Sequence, residues 1–149
     1  MANAAPDLIR TAPRSPRVRL GGYVLLPRMI DKGRATLAGK NGDYHFDCPL
    51  DQHFTRFAGI DAEALKAQLA EGKGDGEIAE WVVAHSTTKP TAAAIEAWSA
   101  HQAGRSPSDL DSIKFFQGVL STSGPKRTDI GTWFDLLDLD DFVSYGGKA

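Results

Sequence analysis

Four side chains that can bind metal ions or transfer protons lie within nine residues of one another. They are His45, Cys48, Asp51 and His53. Zn²⁺ prefers nitrogen and sulfur ligands in a tetrahedral arrangement, but the spacing H-x2-C-x2-D-x-H matches no standard site. On a helix, Asp51 and His53 would point about 200° apart, because the helical period is 3.6 residues. We therefore predict neither a metal nor another cofactor, and we expect Asp47, Cys48 and Asp51 to cap a helix start.

Cys48 is the single cysteine of the chain and precedes Pro49, a residue typical of the first turn of a helix. A thiol at a helix N-terminus can have a lowered pKa, because the dipole and donated hydrogen bonds stabilise the thiolate. With His45 or His53 nearby, Cys48 would be a nucleophile or a redox sensor. The alternative is a small core residue. The candidate catalytic residues are thus Cys48, His45 and His53, and the sequence leaves open whether the protein is an enzyme.

The densest mixture of apolar and cationic side chains lies in residues 15–39. Residues 10–40 contain eight lysines and arginines and one acid, Asp31, which gives a local charge of +7. Arginine offers forked donors that suit carboxylates and phosphates. This composition predicts a site for an anionic small molecule or a protein partner. The candidate binding residues are Arg14, Arg17, Arg19, Tyr23, Arg28, Asp31, Lys32 and Arg34.

The C-terminal part of the chain has the opposite charge. Residues 128–141 contain five aspartates and no base, a local charge of −5. Two segments of opposite charge can attract each other, or each can attract a separate partner. We expect Arg17 or Arg19 to lie within a few ångströms of one aspartate, within the chain or across a homodimer. The arginines would then be paired internally. The aspartates concerned are Asp135, Asp138, Asp140 and Asp141.

A central helix is predicted for residues 24–38. Its apolar residues recur at steps of three and four, which places them on one stripe. They are Tyr23, Leu26, Ile30, Gly33 and Leu37. Pro27 belongs to the first turn and Gly39 to the C-terminal cap. Gly33 would allow another helix to approach closely. The remaining circumference is expected to be a solvated basic face on which Asp31 pairs with Arg28 and Arg34.

Six further helices are predicted from capping residues, prolines and apolar spacing. Their starts are placed at Asp47 or Cys48, Asp61, Asp75, Pro90, Ser106, and Thr128 or Asp129. Each tryptophan falls on an apolar stripe and is expected in the core; these are Trp81, Trp98 and Trp133. Residues 44–46 alternate in a way compatible with a very short strand. The predicted fold is all-α, a compact single-domain bundle of about seven helices around the central helix.

The composition predicts a soluble globular protein: 149 residues, of which 42% are hydrophobic and 24% charged. No apolar run approaches the roughly 20 residues that span a bilayer, and the start lacks the apolar region of a secretory signal. A single cysteine excludes an internal disulfide, so we expect a cytoplasmic protein with no membrane contact. A net charge of −2 and a pI near 6.1 argue against nucleic-acid binding. We predict an irregular arm at 1–14, a helical domain at 15–144 and a frayed tail at 145–149.

Four blocks of the sequence together resemble a known family. They are SPRVRLGGYVLLPRMIDKGRATLAG, DYHFDCPLDQ, TRFAGID and KRTDIGTWFDLLDLDD. Over residues 14–141 the chain is similar to a bacterial family of uncharacterised proteins, described as a domain of unknown function. The resemblance implies a bacterial, soluble, single-domain protein and supplies no reaction, ligand or catalytic residue.

Two functions remain in view from the sequence. The favoured one is non-catalytic binding of an anionic small molecule or a protein partner through the basic N-terminal third. The alternative is a small enzyme or redox sensor that uses Cys48 at a helix N-terminus with a nearby histidine.

Overall fold

The computed structural model describes residues 4–149, and this part of the chain forms seven α-helices in one compact domain. The first four are α1 (Leu26–Leu37), α2 (Pro49–Ala58), α3 (Ala62–Ala70) and α4 (Asp75–His85). The others are α5 (Ala92–Gly104), α6 (Leu110–Ser123) and α7 (Trp133–Ser144). The all-α prediction is confirmed. None of these helices has both the length and the apolar character needed to cross a membrane. The first three residues of the arm predicted at 1–14 lie outside the described residues.

α1 is the central helix, but it has no solvated basic face. Residues 26–33 are all buried, so other parts of the chain surround almost the whole circumference of the helix. The prediction of a solvated face was wrong: Arg28 and Lys32 are each 4% exposed and Asp31 is 9% exposed. Leu37, expected on the buried stripe, is 45% exposed because the last turn leaves the core. Each buried charge therefore needs a partner inside the protein.

Gly33 brings α1 close to α3, as predicted. A Cβ at this position would stand 2.5 Å from Leu69 and 3.1 Å from the ring of Phe46. A larger residue would push these side chains apart in a closely packed interior. The strand considered at 44–46 is absent. Phe46 packs against the core instead, and no neighbouring strand is present among residues 4–149 to pair with it.

An aromatic cluster fills the core beside α1. Tyr23 meets Phe54 edge-on at 5.1 Å between ring centroids and Trp98 at 5.9 Å, while Phe57 stacks on Trp98 at 5.0 Å. Such pairs contribute about 0.5–1.5 kcal/mol each beyond the area they bury. Burial raises the pKa of Tyr23, which is 4% exposed and belongs to the core. Trp81 and Trp98 pack against the same core, as expected, whereas Trp133 is half-buried outside this core cluster.

Four helix starts differ from their predicted positions. The observed N-caps are Gly74 for α4, Thr91 for α5, Asp109 for α6 and Thr132 for α7. The caps of α6 and α7 form reciprocal capping boxes, Asp109 with Ser112 and Thr132 with Asp135. Each box satisfies two free N–H groups, which the earlier candidates at 106, 128 and 129 do not. The predicted starts at Cys48 and Asp61 are confirmed.

Candidate functional site

Two cations of α1 are bound to carboxylates inside the fold. Arg28 donates to Asp141 at 2.7 Å, and Lys32 Nζ donates to Asp51 at 2.9 Å. None of the four side chains is more than 10% exposed. Burial raises the pKa of Asp51, although the charge of Lys32 opposes this shift. The charges of Arg28 and Lys32 are therefore compensated within the chain.

Arg14 joins α1 to the start of α4. Its guanidinium donates to Asp31 at 3.0 Å and to Asp75 at 2.7 Å, while Arg34 donates to Asp75 at 3.0 Å. Burial alone would raise the pKa of Asp75, but the hydrogen bonds and charges of the two arginines outweigh it and lower that pKa. The predicted pairing of Asp31 with Arg28 and Arg34 was wrong, because Asp31 faces the preceding loop. Asp75 serves as an ion-pair partner and not as the N-cap of α4.

The basic loop before α1 contacts the acidic helix α7, which confirms the predicted contact within one chain. Arg17 pairs with Asp135, and its Nε lies 3.2 Å from Asp138. Arg19 instead lies 2.6 Å from Glu96 on α5. The arginines singled out in the sequence are thus internally paired, as in the alternative interpretation of the charge pattern.

A groove of about 440 Å³ lies where α2, α6 and α7 begin. Its apolar walls are Leu50, Phe115, Trp133 and Leu137, and its polar lining includes Cys48, His53, Arg105 and Asp109. Cavities of roughly 300–1,000 Å³ with apolar walls and a few polar groups are typical of small-molecule sites. The three helix starts also direct the positive ends of their dipoles toward this region. We refer to this place as the groove.

Arg105 differs from the other arginines of the described chain. Within residues 4–149 its side chain forms no hydrogen bond and no ion pair. Each of the other arginines pairs with a carboxylate, except Arg56, which donates to the carbonyl of Gln52. The backbone of Arg105 is nevertheless held in place, since its carbonyl accepts a hydrogen bond from Trp133 N–H at 3.0 Å. A half-buried arginine is therefore anchored at the groove through its backbone, and its guanidinium is paired with no carboxylate.

His53, on α2, borders the same groove. Burial lowers its pKa from the ordinary value of 6.5, and the positive charges of Arg105, Arg56 and His101 lower it further. The imidazole is therefore neutral at neutral pH. Burial is the largest cause of this shift, and the charge of Arg105 adds to it.

Two further polar groups border the groove and are engaged within the protein. The carboxylate of Asp109 accepts the N–H of Ser112 at 2.8 Å as it caps α6. Cys48 Sγ accepts a hydrogen bond at 3.3 Å from Lys32 Nζ, which also holds Asp51. The Cys48 side chain makes no capping hydrogen bond, contrary to the prediction, and Asp51 accepts the N–H of Asp47, which precedes the helix, at 3.0 Å.

The residues that suggested a metal site do not converge. Cys48 and His53 border the groove, Asp51 turns inward to Lys32, and His45 is exposed outside the groove lining. In the part of the chain that the structure describes, no three His, Cys, Asp or Glu side chains form a group that could hold a metal ion.

Arg105 is the residue of the groove that the sequence reasoning missed. The sequence carries no signal for it: the acid-free stretch around it, between Glu96 and Asp109, is shorter than the one between Asp7 and Asp31, in which every arginine is paired.

The chain matches a protein-family model over residues 10–143, described as a domain of unknown function (DUF5069). It therefore belongs to this family, and the predicted membership of a domain-of-unknown-function family is confirmed. No curated protein matches the chain.

Proposed function

We propose that this domain binds a small organic carboxylate in the groove, with the negative group at Arg105 and an apolar body against Phe115 and Trp133. The observation that supports this proposal is the unpaired guanidinium of Arg105 beside apolar walls. A guanidinium without a carboxylate partner offers its forked donors to a planar anion. The aromatic walls would exclude water from the rest of the ligand and strengthen the ionic contact.

The electrostatic surroundings favour a negative group at the same place. Three helices begin there, and helix N-termini attract anions. The pKa of His53 is lowered first by burial and then by neighbouring positive charges, of which Arg105 is the first, and an anion beside Arg105 would offset part of that charge. The carboxylate of Asp109 is already turned to the N-terminus of α6.

The proposal relocates the anion site from the basic N-terminal third to the groove. The residues expected to bind the anion have carboxylate partners, among them Arg14, Arg17, Arg28 and Lys32. An incoming anion would have to replace an existing ion pair at each of them. At Arg105 no ion pair has to be broken.

Calorimetric titration with 3-phenylpropionate tests the proposal, because this ligand is short enough for the groove alone. We expect saturable binding at one site and at least tenfold weaker binding to Arg105→Gln. A hydrogen bond to a charged group contributes about 1.5–3 kcal/mol, which corresponds to that loss. Arg10→Gln, which changes an arginine that is 86% exposed, is the matched control and should bind as the wild type does.

The neutral ligand 3-phenylpropanamide separates charge from shape in the same experiment. It should bind the wild type at least tenfold more weakly than the acid does. Equal binding of acid and amide, or equal binding of the acid to the wild type and Arg105→Gln, would reject the proposal.

A second candidate function is thiol chemistry at Cys48, favoured by its place in the groove and by the contact from Lys32 Nζ. A nearby ammonium group and a helix N-terminus both stabilise a thiolate. Alkylation of Cys48 by iodoacetamide at neutral pH should then be faster than that of a model thiol, and 3-phenylpropionate should slow it by covering the sulfur. Alkylation slower than that of the model thiol, together with wild-type behaviour of Cys48→Ser, would remove this candidate.

A further inference from the structure

A second depression of about 430 Å³ adjoins the groove between α6 and α7. Its lining includes Gly118, Val119 and Thr122 of α6 and Asp140 of α7. Phe115 borders both the groove and this depression. The ring of Phe115 is 65% exposed, so a large apolar side chain marks the junction and is itself uncovered.

The lining residues of both depressions fall on one face of each helix. On α6 they include Ser112, Phe115, Val119 and Thr122, and on α7 they are Trp133, Leu137 and Asp140. Steps of three and four residues place side chains on a common helical face. The two helices run in the same direction, because Phe116 in the middle of α6 packs on Trp133 at the start of α7, and Gly124 at the end of α6 lies against Leu139 in the middle of α7. The two depressions are therefore successive sections of one trough between α6 and α7.

The dimensions of the trough suit an extended chain. The α6 face from Ser112 to Thr122 is about 15 Å long at 1.5 Å per residue, comparable to an extended chain of about twelve carbon atoms. Gly118 keeps the second section open, since a Cβ there would meet no atom within 4 Å. Val119 supplies an apolar contact beside it.

The two ends of the trough differ in charge. At the end formed by the helix starts, Arg105 supplies an unpaired cation and the Asp109 carboxylate is engaged in capping α6, whereas Asp140 borders the other end. A carboxylate at the far end disfavours a second negative group on the ligand. The ligand that fits this distribution has one anionic end and an uncharged tail.

We infer that the trough binds a linear alkyl monocarboxylate, with its carboxylate at Arg105 and its chain passing Phe115 to lie beside Gly118 and Val119. This inference rests on the proposed function and adds the class of ligand. The alkyl chain covers the exposed ring of Phe115 and the open face of α6.

Calorimetric titration of the full chain with butanoate, octanoate and dodecanoate tests this inference, with each ligand kept below its micellar concentration. Affinity should rise with chain length by up to roughly fourfold per added methylene, the limit for complete burial. Gly118→Leu should weaken dodecanoate binding at least tenfold and leave butanoate and 3-phenylpropionate unchanged. Gly76→Leu is the matched control, because this glycine also lies in a helix with open space around it. It should bind every ligand as the wild type does.

The outcomes separate this inference from the proposed function. If 3-phenylpropionate binds while dodecanoate binds no more tightly than butanoate, the alkyl ligand is wrong and the groove proposal stands. If 3-phenylpropionate also fails to bind, both are wrong. Equal affinity for dodecanoate and dodecanedioate, or dodecanoate binding unaffected by Gly118→Leu, would overturn the inference. An amphipathic helical peptide that binds where dodecanoate does not would assign the trough to a protein partner and also overturn it.

Discussion

The cations of α1 and the cation at the groove carry the same charge and have opposite surroundings. Arg28 and Lys32 are each 4% exposed and lie against Asp141 and Asp51. Arg105 is half-buried at the groove and has no partner within residues 4–149. The density of cations in the sequence thus marks charges that the fold must compensate. The guanidinium available to a ligand in the groove is that of Arg105, far along the chain.

The difference follows from the cost of burying charge. Removing an ion from water costs several kcal/mol, and only a well-placed counter-charge offsets this cost. α1 is surrounded by the rest of the protein, so each of its charges requires a partner of opposite charge. A cation at an open groove keeps part of its hydration and does not need a carboxylate partner. We therefore expect mutations of the α1 ion pairs to change mainly the stability of the fold. Mutation of Arg105 at the groove should change mainly ligand binding.

The largest effect is expected at the buried pair formed by Lys32 and Asp51. Asp51→Asn should lower the free energy of unfolding by about 3–5 kcal/mol, because the ammonium group stays buried without its counter-charge. Urea unfolding followed by circular dichroism measures this loss. Asp47→Asn is the control: the residue is exposed and has a φ of 61°, which asparagine tolerates. A loss below about 1 kcal/mol for Asp51→Asn would show that the pair is not a buried ion pair.

A smaller effect is expected at Arg14. The pKa of Asp75 is lower in the folded protein than its ordinary value of 3.8. The ionised carboxylate therefore stabilises the fold above pH 3.8, and this stability is lost as the pH falls through the lowered pKa. Arg14→Gln removes the strongest of the interactions that lower this pKa. The variant should lose about 1 kcal/mol at pH 7, a figure that allows for solvent screening of this partly exposed carboxylate. Its stability should also fall less steeply than that of the wild type when the pH is lowered below about 4.

Unfolding measured from pH 7 to pH 2 checks both effects. Arg10→Gln should behave as the wild type does throughout this range. An unchanged acid profile in Arg14→Gln would mean that Arg34 alone sets the pKa of Asp75.

The contact of Arg17 with α7 should affect local order more than stability. Asp138→Asn should change the free energy of unfolding by less than about 1 kcal/mol, because exposed pairs contribute little. Limited digestion with trypsin should nevertheless cut faster after Arg17. A salt concentration of 1 M should have the same effect on the wild type, since the Debye length falls to about 3 Å. If neither change speeds cleavage, the hydrogen bond from Leu25 N–H to the Pro16 carbonyl holds the loop instead.

Local patterns were sufficient to predict the helices but not the partners of their charges. Apolar steps of three and four residues located α1, and capping residues located the starts of α2 and α3 at Cys48 and Asp61. At α7, candidates at 128 and 129 resembled the true cap, Thr132, in local chemistry. The capping box of Thr132 with Asp135 selects the cap, and the hydrogen bond from Trp133 N–H to the Arg105 carbonyl adds a contact between residues distant in sequence.

The groove could be predicted only in part for the same reason. Cys48 and His53 were recognisable because their side chains carry chemistry. Arg105 and Phe115 belong to segments that reach the groove through tertiary packing, and no spacing in the sequence relates these segments to one another. The basic face of α1 was misread because the sequence shows charge and does not show that the surrounding helices cover it.

The smallest effect on stability is expected from Arg105→Gln, which nevertheless reports directly on the uncompensated charge. No hydrogen bond or ion pair is lost, so the free energy of unfolding should change by no more than about 0.5 kcal/mol. The pKa of His53 should rise, because the positive charge of Arg105 is one cause of its lowering. Because the pKa of His53 is lowered in the folded protein, the unfolded chain binds more protons than the folded chain as the pH falls below 6.5. A falling pH therefore favours unfolding. The variant should therefore lose less stability than the wild type between pH 7 and pH 5.

An NMR titration of His53 measures the shift of its pKa. Arg56→Gln should raise this pKa less than Arg105→Gln does, since the charge of Arg56 is a weaker cause of the lowering. A stability loss above about 1 kcal/mol, or an unchanged His53 pKa, would mean that Arg105 is compensated as the cations of α1 are.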